Sequence, residues 1–197
     1  DEVTNGAVVG GVETTFTGNT GNMTEAETWE DAVAATVTSN DVTKAYSSWE
    51  TAYAAANTND TITLQKDIIG PITIDKAVTI EGNSKTITAE NGDAITVTAA
   101  GVTLNGVNAT AEGGNALGHA LVVGAQDTKV KGDITINGGS YVAEYTGMQG
   151  EGAIRIFASG DVTVKDTTTT GGIHVFDAGS YAITGNNVSF TYNGAVP

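Results

Sequence analysis

The chain has 197 residues, with 23 Asp or Glu against 8 Lys or Arg and a formal net charge of −15. A field of that sign repels phosphate backbones and anionic membranes, which excludes nucleic acid as a partner, and no apolar run approaches the roughly 20 residues needed to cross a bilayer, so membrane insertion is not expected. With no cysteine there is neither a disulfide framework nor a thiolate metal site, and 26 glycines beside two prolines favour many short strands over long helices.

The chain opens at Asp1 with no charged-then-apolar leader ahead of it, which is the expected start of a mature secreted chain. Residues 1–23 are rich in Gly and Thr with β-branched runs and read as a strand-like arm, with Val8, Val12 and Phe16 as its apolar contacts. Residues 24–57 are rich in Ala and read as a helical cap of two short helices. Thr24 with Glu27 resembles a capping box ahead of Trp29, Ala32 and Val33, and Ser47 with Glu50 repeats it ahead of Ala52, Tyr53 and Ala56, the second helix ending near Asn57. Trp29 and Trp49 are expected to pack inward. Asn22, Asn59, Asn108 and Asn187 each begin an N-glycosylation sequon, a frequent coincidence in a sequence this rich in Asn and Thr.

Residues 58–197 are expected to form the parallel β-helix: from Thr61 onward the period switches to two, and a unit recurs in which two apolar-x-apolar triplets are followed by a turn residue. The first triplets begin at Ile72, Ile95, Leu121, Ile154 and Ile173, and the second at Val78, Val102, Ile134, Val162 and Tyr181. Gly82, Gly106, Gly138, Asp166 and Gly185 share one offset after them and are expected to supply corners at positive φ. Uniform hairpins would need Asn-Gly-like spacers throughout, so the repeat predicts a coil in which each triplet pairs in parallel with its equivalent one unit later. The expected inward stack is Ile74, Val97, Val123, Ile156 and Val175. Tyr141 to Gly152 is expected to be the longest loop projecting from a corner.

The stretches Trp49–Asn57, Asp60–Leu64 and Val78–Asn83 resemble the opening of pectate-lyase-like right-handed parallel β-helices, and the similarity extends over about residues 49–193. It looks closest to the β-helix modules of microbial surface proteins. The resemblance implies an all-β solenoid of about five coils behind a short helical cap, in a secreted or cell-surface protein. It identifies a fold rather than a chemistry.

Catalytic members of such a fold need several Asp with Arg or Lys on neighbouring coils. Here Arg155 and His174 fall at the same outward position of successive units, with Asp161, Asp166 and Asp177 on adjoining turns, and these five are the weak catalytic candidates. Their bland reading is an exposed Arg and His on a solvated ladder, and it is preferred. No nucleophile elbow, phosphate loop or calcium-repeat motif is present, so no cofactor is implied; calcium is the candidate cation for the acidic surface. Thr79, Thr103, Thr135 and Thr163 form an outward ladder, interrupted at Ala182, that a wet strand surface explains better than ice binding. Tyr141, Tyr145, Phe157, Phe176 and Tyr181 cluster late in the chain, as core or as a sugar platform.

A coil has two open ends, and the helical cap covers one. The other ends at Asn187–Tyr192 with no further helix, leaving Val188, Phe190 and Tyr192 at an open edge that the arm of a neighbour would fit. The expected function is therefore a non-enzymatic structural protein that self-associates head to tail into a filament. The alternatives are a monomeric adhesin or glycan-binding module, and a polysaccharide lyase or hydrolase.

Overall fold

The computed structural model describes residues 33–112, 118–144 and 152–184, together with the backbone of Glu2–Val3 and Ser189–Thr191. Strand β1 is Glu2–Val3, followed by β2 (Ala35–Ser39), β3 (Val42–Tyr46) and helix α1 (Trp49–Ala55). The chain then runs through β4 (Thr61–Leu64), β5 (Ile68–Ile69), β6 (Ile72–Ile74), β7 (Thr79–Glu81), β8 (Thr86–Ala89) and β9 (Ile95–Val97). It continues through β10 (Val102–Asn105), β11 (Asn108–Ala111), β12 (Leu121–Val123), β13 (Ile134–Asn137), β14 (Ser140–Ala143) and β15 (Ile154–Phe157). The last strands are β16 (Asp161–Lys165), β17 (Thr168–Thr170), β18 (Ile173–Asp177), β19 (Ser180–Thr184) and β20 (Ser189–Thr191).

These strands form three largely parallel sheets. Sheet A has the order β1-β3-β2-β4-β7-β10-β13-β16-β19, sheet B β20-β17-β14-β11-β8-β5 and sheet C β18-β15-β12-β9-β6. From β4 onward the chain visits A, B and C in turn and returns to A beside the strand it left, an order compatible with a β-helix. The alternation of Ile, Val and Leu with Thr turns one apolar row into the interior, and each row is kept in register from strand to strand. Ile74, Val97, Val123, Ile156 and Val175 face one another along sheet C as expected. The first four are fully buried, and Val175 is only partly covered.

Several expectations change. The unit contains three strands rather than two, because sheet B, whose inward residues include Ala89, Ala109, Ala111 and Thr169, has no regular Ile or Val triplet. Residues 33–46 form an antiparallel hairpin, β2 with β3, inside the segment expected to be helical. Its turn, Asn40-Asp41, has φ of 48° and 65°, the pair of left-handed residues that a tight two-residue hairpin requires. The second predicted helix is present, but its N-cap is Ser48 rather than Ser47, with the Ser48 hydroxyl accepting from the Thr51 N–H at 3.2 Å. Lys76 Nζ donates to the Tyr53 and Ala56 carbonyls at the helix end. Tyr141 is not in a projecting loop but lies inward on β14, fully buried between Ala109 and Thr169. The first predicted helix, from Thr24 to Ala32, lies outside the described residues.

Gly106, Gly138 and Asp166 turn the corner after sheet A at φ of 57°, 74° and 50°, as expected of that offset. Gly82 shares the offset without the positive φ, and Gly185 lies outside the described residues.

Candidate functional site

The candidate residues gather, in part, on the outer face of sheet C at its last two strands. Arg155 on β15 stands opposite His174 on β18, the adjacency that the sequence predicts. A register shift after Ile156 places Phe157 opposite Asp177, so that Phe176 is the extra residue of β18. That bulge brings the Phe157 and Phe176 rings into a stack, 4.5 Å apart and 9° from parallel. The Arg155 guanidinium carbon lies 5.5 Å from the Phe157 ring centre and 4.8 Å from that of Phe176. His174 meets Phe176 edge-on at 5.5 Å. Arg155 is therefore a stacked cation rather than a solvated one, which corrects the exposed-ladder reading of that residue.

The three candidate carboxylates do not converge on it. Asp177 pairs with Lys129, whose hydrogen bond and charge hold its carboxyl below the usual range. Asp161 belongs to sheet A, where its Oδ1 accepts from the Ser180 hydroxyl at 2.7 Å. Asp166 forms the corner after β16, 3.9 Å from Lys165 Nζ.

A carboxylate that the sequence reading missed, Asp93, lies near enough for the Arg155 charge to help lower its pKa. Asp93 Oδ1 accepts from the His119 N–H at 2.9 Å and lies 2.7 Å from His119 Nδ1. Burial alone would raise its pKa, but the His119 hydrogen bonds and the charges of His119 and Arg155 hold it below the ordinary value. His119 is 5% exposed and so is anchored in the wall rather than presented to solvent. A signal was available. Asp93 and His119 stand two residues ahead of Ile95 and Leu121, at one offset in successive units, so the repeat itself places them side by side.

Beside this cluster a recess of about 430 Å³ is lined by Ile173, His174, Val175, Phe176, Tyr181 and Ile183. Four of these are the inward residues of β18 and β19, left open at the last strands of sheets C and A. A second recess, of about 300 Å³, lies where the β2–β3 hairpin meets the end of α1, with Val42, Lys44 and Asp60 in its lining. Asp60 accepts from the Asn57 N–H at 2.7 Å, which with Ser39 and Lys76 lowers its pKa despite burial.

Among the described residues no group of three His, Asp or Glu is placed to hold a metal ion, and no helix is long and apolar enough to cross a membrane. Of the residues predicted for self-association, Val8, Val12, Phe16, Val188 and Tyr192 lie outside the described residues. Phe190 is on β20, paired at the backbone with Thr169. The Thr ladder is longer than expected, running from Thr38 through Thr61, Thr79, Thr103, Thr135 and Thr163 to Ala182. No family model, no curated protein and no solved structure matches the chain.

Proposed function

We propose that this chain is a right-handed parallel β-helix of the pectate-lyase-like kind that serves outside the cell as a non-enzymatic structural protein and self-associates head to tail. The observation that carries this reading is the state of the last strands. Tyr181 and Ile183 occupy inward positions of β19 yet are 65% and 37% exposed, and Phe176 beside them is 49% exposed. Inward apolar side chains left in water at the last strand of sheet A among the described residues favour a further strand from elsewhere. The cation that an active site would use is stacked on two Phe rings, and the carboxylates expected to serve it are engaged elsewhere, which supports a structural reading over a catalytic one.

The arm was expected to reach a neighbour. Glu2–Val3 instead pairs antiparallel with Ala45 and Tyr46 of its own chain, which favours an arm returning to its own body and gives the monomeric adhesin a specific observation in its support. Sedimentation and electron microscopy of the purified chain distinguish the two. Elongated particles with a subunit repeat are expected; a strict monomer at high concentration leaves the adhesin. Cleavage of a uronate polymer that is lost in Arg155→Ala or His174→Ala would replace both with the enzyme.

A further inference from the structure

Two hydroxyls in the interior carry no hydrogen bond. Tyr141 on β14 and Thr169 on β17 are inward residues of sheet B and register partners on adjacent parallel strands, which run about 4.8 Å apart. Tyr141 is fully buried and Thr169 nearly so, yet Tyr141 Oη and Thr169 Oγ1 have no partner, not even each other. The buried hydroxyl next to them in sequence behaves otherwise, since Thr167 Oγ1 donates to the Lys165 carbonyl at 2.9 Å.

A hydroxyl moved from water into an apolar interior without a partner is costly, and here two lie on neighbouring strands. Phe and Val would fill the same volumes without that cost. Burial with no compensating hydrogen bond also pushes the Tyr141 phenol above its ordinary pKa. The packing leaves room at the hydroxyl end of the ring. The strands on either side of β14 turn Ala109, Ala111 and Thr169 inward, and β14 itself adds Ala143. All four are much shorter than a Tyr side chain, so none of them reaches as far into the interior as Tyr141 Oη.

The chemistry of the pair selects the occupant. Each hydroxyl can donate or accept, and both are neutral, so a charged ligand between them would be buried without compensation. The group that fits is small, neutral and able to donate and accept at once. Water meets all three conditions, and the two hydroxyls give it the pair of polar partners that a buried water needs at the least.

We infer that Tyr141 Oη and Thr169 Oγ1 hold one buried water between them, an internal site that links β14 to β17. The site lies within one chain and does not depend on self-association. It supplies, through hydrogen bonds, the tie between layers that Ile and Val columns supply in sheets A and C.

Tyr141→Phe and Thr169→Val each remove one hydroxyl and keep the shape of the site, and with the double variant they complete a cycle in urea unfolding. If a water joins the hydroxyls, each single variant strands the other hydroxyl and should lower the folding equilibrium constant about tenfold, while the double variant, with no hydroxyl left behind, should return to within about threefold of the native chain. Single variants at least as stable as the native chain would mean that the hydroxyls are buried dry, and would overturn the site. Single losses that simply add in the double variant would mean that no water is shared, and would overturn the bridge. A crystal structure of the native chain reads the site even if a variant fails to fold. Density for a water within about 3 Å of both oxygens is expected, and direct contact between the two hydroxyls would rule the water out.

Discussion

At Gly82 an added Cβ would sit 2.0 Å from the Gly106 carbonyl oxygen, a backbone atom that cannot swing aside. Gly106 is the reverse case, with φ of +57° but nothing within 4 Å of the space its Cβ would take. The same corner thus requires glycine for two reasons, close approach at the first layer and left-handed backbone at the second. Gly106→Ala should cost about 1–2 kcal/mol, the usual penalty of a left-handed non-glycine residue. Gly82→Ala should cost more, about 3 kcal/mol, because the Gly82 N–H to Asn105 carbonyl bond must stretch to admit the methyl. Urea unfolding of the two variants side by side gives the order; equal losses would mean that the corner relaxes. Asp93 makes a prediction in pH. Its folded pKa lies below the ordinary 3.8, so its stabilisation is complete above that value and is lost as the pH falls through the lower folded one. Asp93→Asn should cost about 1 kcal/mol at neutral pH, toward the low side for a hydrogen bond to a charged group because the carboxylate is 35% exposed. The difference from the native chain should close in acid. A gap that stays constant down to full protonation would show that the charge of Asp93 contributes nothing.

Each strand here is only two to five residues long, too short to be stable except through its neighbours, so stability resides in the columns. Ile156 lies between Val123 and Val175 with no exposure, and Ile156→Asp would bury a charge with no partner. That penalty takes most of a domain's margin of about 5–15 kcal/mol, so the variant should fail to give a cooperative melt. Ile183→Asp, on the last strand, should melt within about 1 kcal/mol of the native chain because its site is already open to water. Equal damage from both would place Ile183 in a covered core. The Ile156 column was legible in the sequence because Ile, Val and Leu repeat there on alternate positions. Sheet B was not, because Ala, Tyr and Thr take its inward places and no hydrophobic period survives. The β2–β3 hairpin was hidden by the Ala content of residues 24–57, although Asn40-Asp41 between two alternating runs is a hairpin signal that outweighs composition. Among the site residues, Arg155 beside His174 followed from the repeat alone. The stack of Arg155 on Phe157 and Phe176 did not, since it depends on a one-residue bulge that leaves no mark in the hydrophobic pattern.

At the scale of the whole molecule the decisive quantity is the balance between an apolar sheet end and a strongly acidic body. Two copies approaching end to end each carry −15, and their repulsion acts over about 30 Å at 0.01 M salt but only about 3 Å at 1 M. The apolar groups exposed at the last described strands, Phe176 on β18 and Tyr181 and Ile183 on β19, gain little from low salt, because apolar burial is not screened. Raising the salt should therefore strengthen assembly, with sedimentation showing longer particles at 1 M than at 0.01 M sodium chloride at the same protein concentration. Partial neutralisation of the carboxylates at mildly acidic pH should act in the same direction. An interface held by ion pairs behaves oppositely and dissociates as salt rises. Shorter particles at 1 M would thus rule out a junction made by the apolar last strands and direct attention to the charged sides of the stack, where Asp161, Lys165 and Glu81 point outward from sheet A.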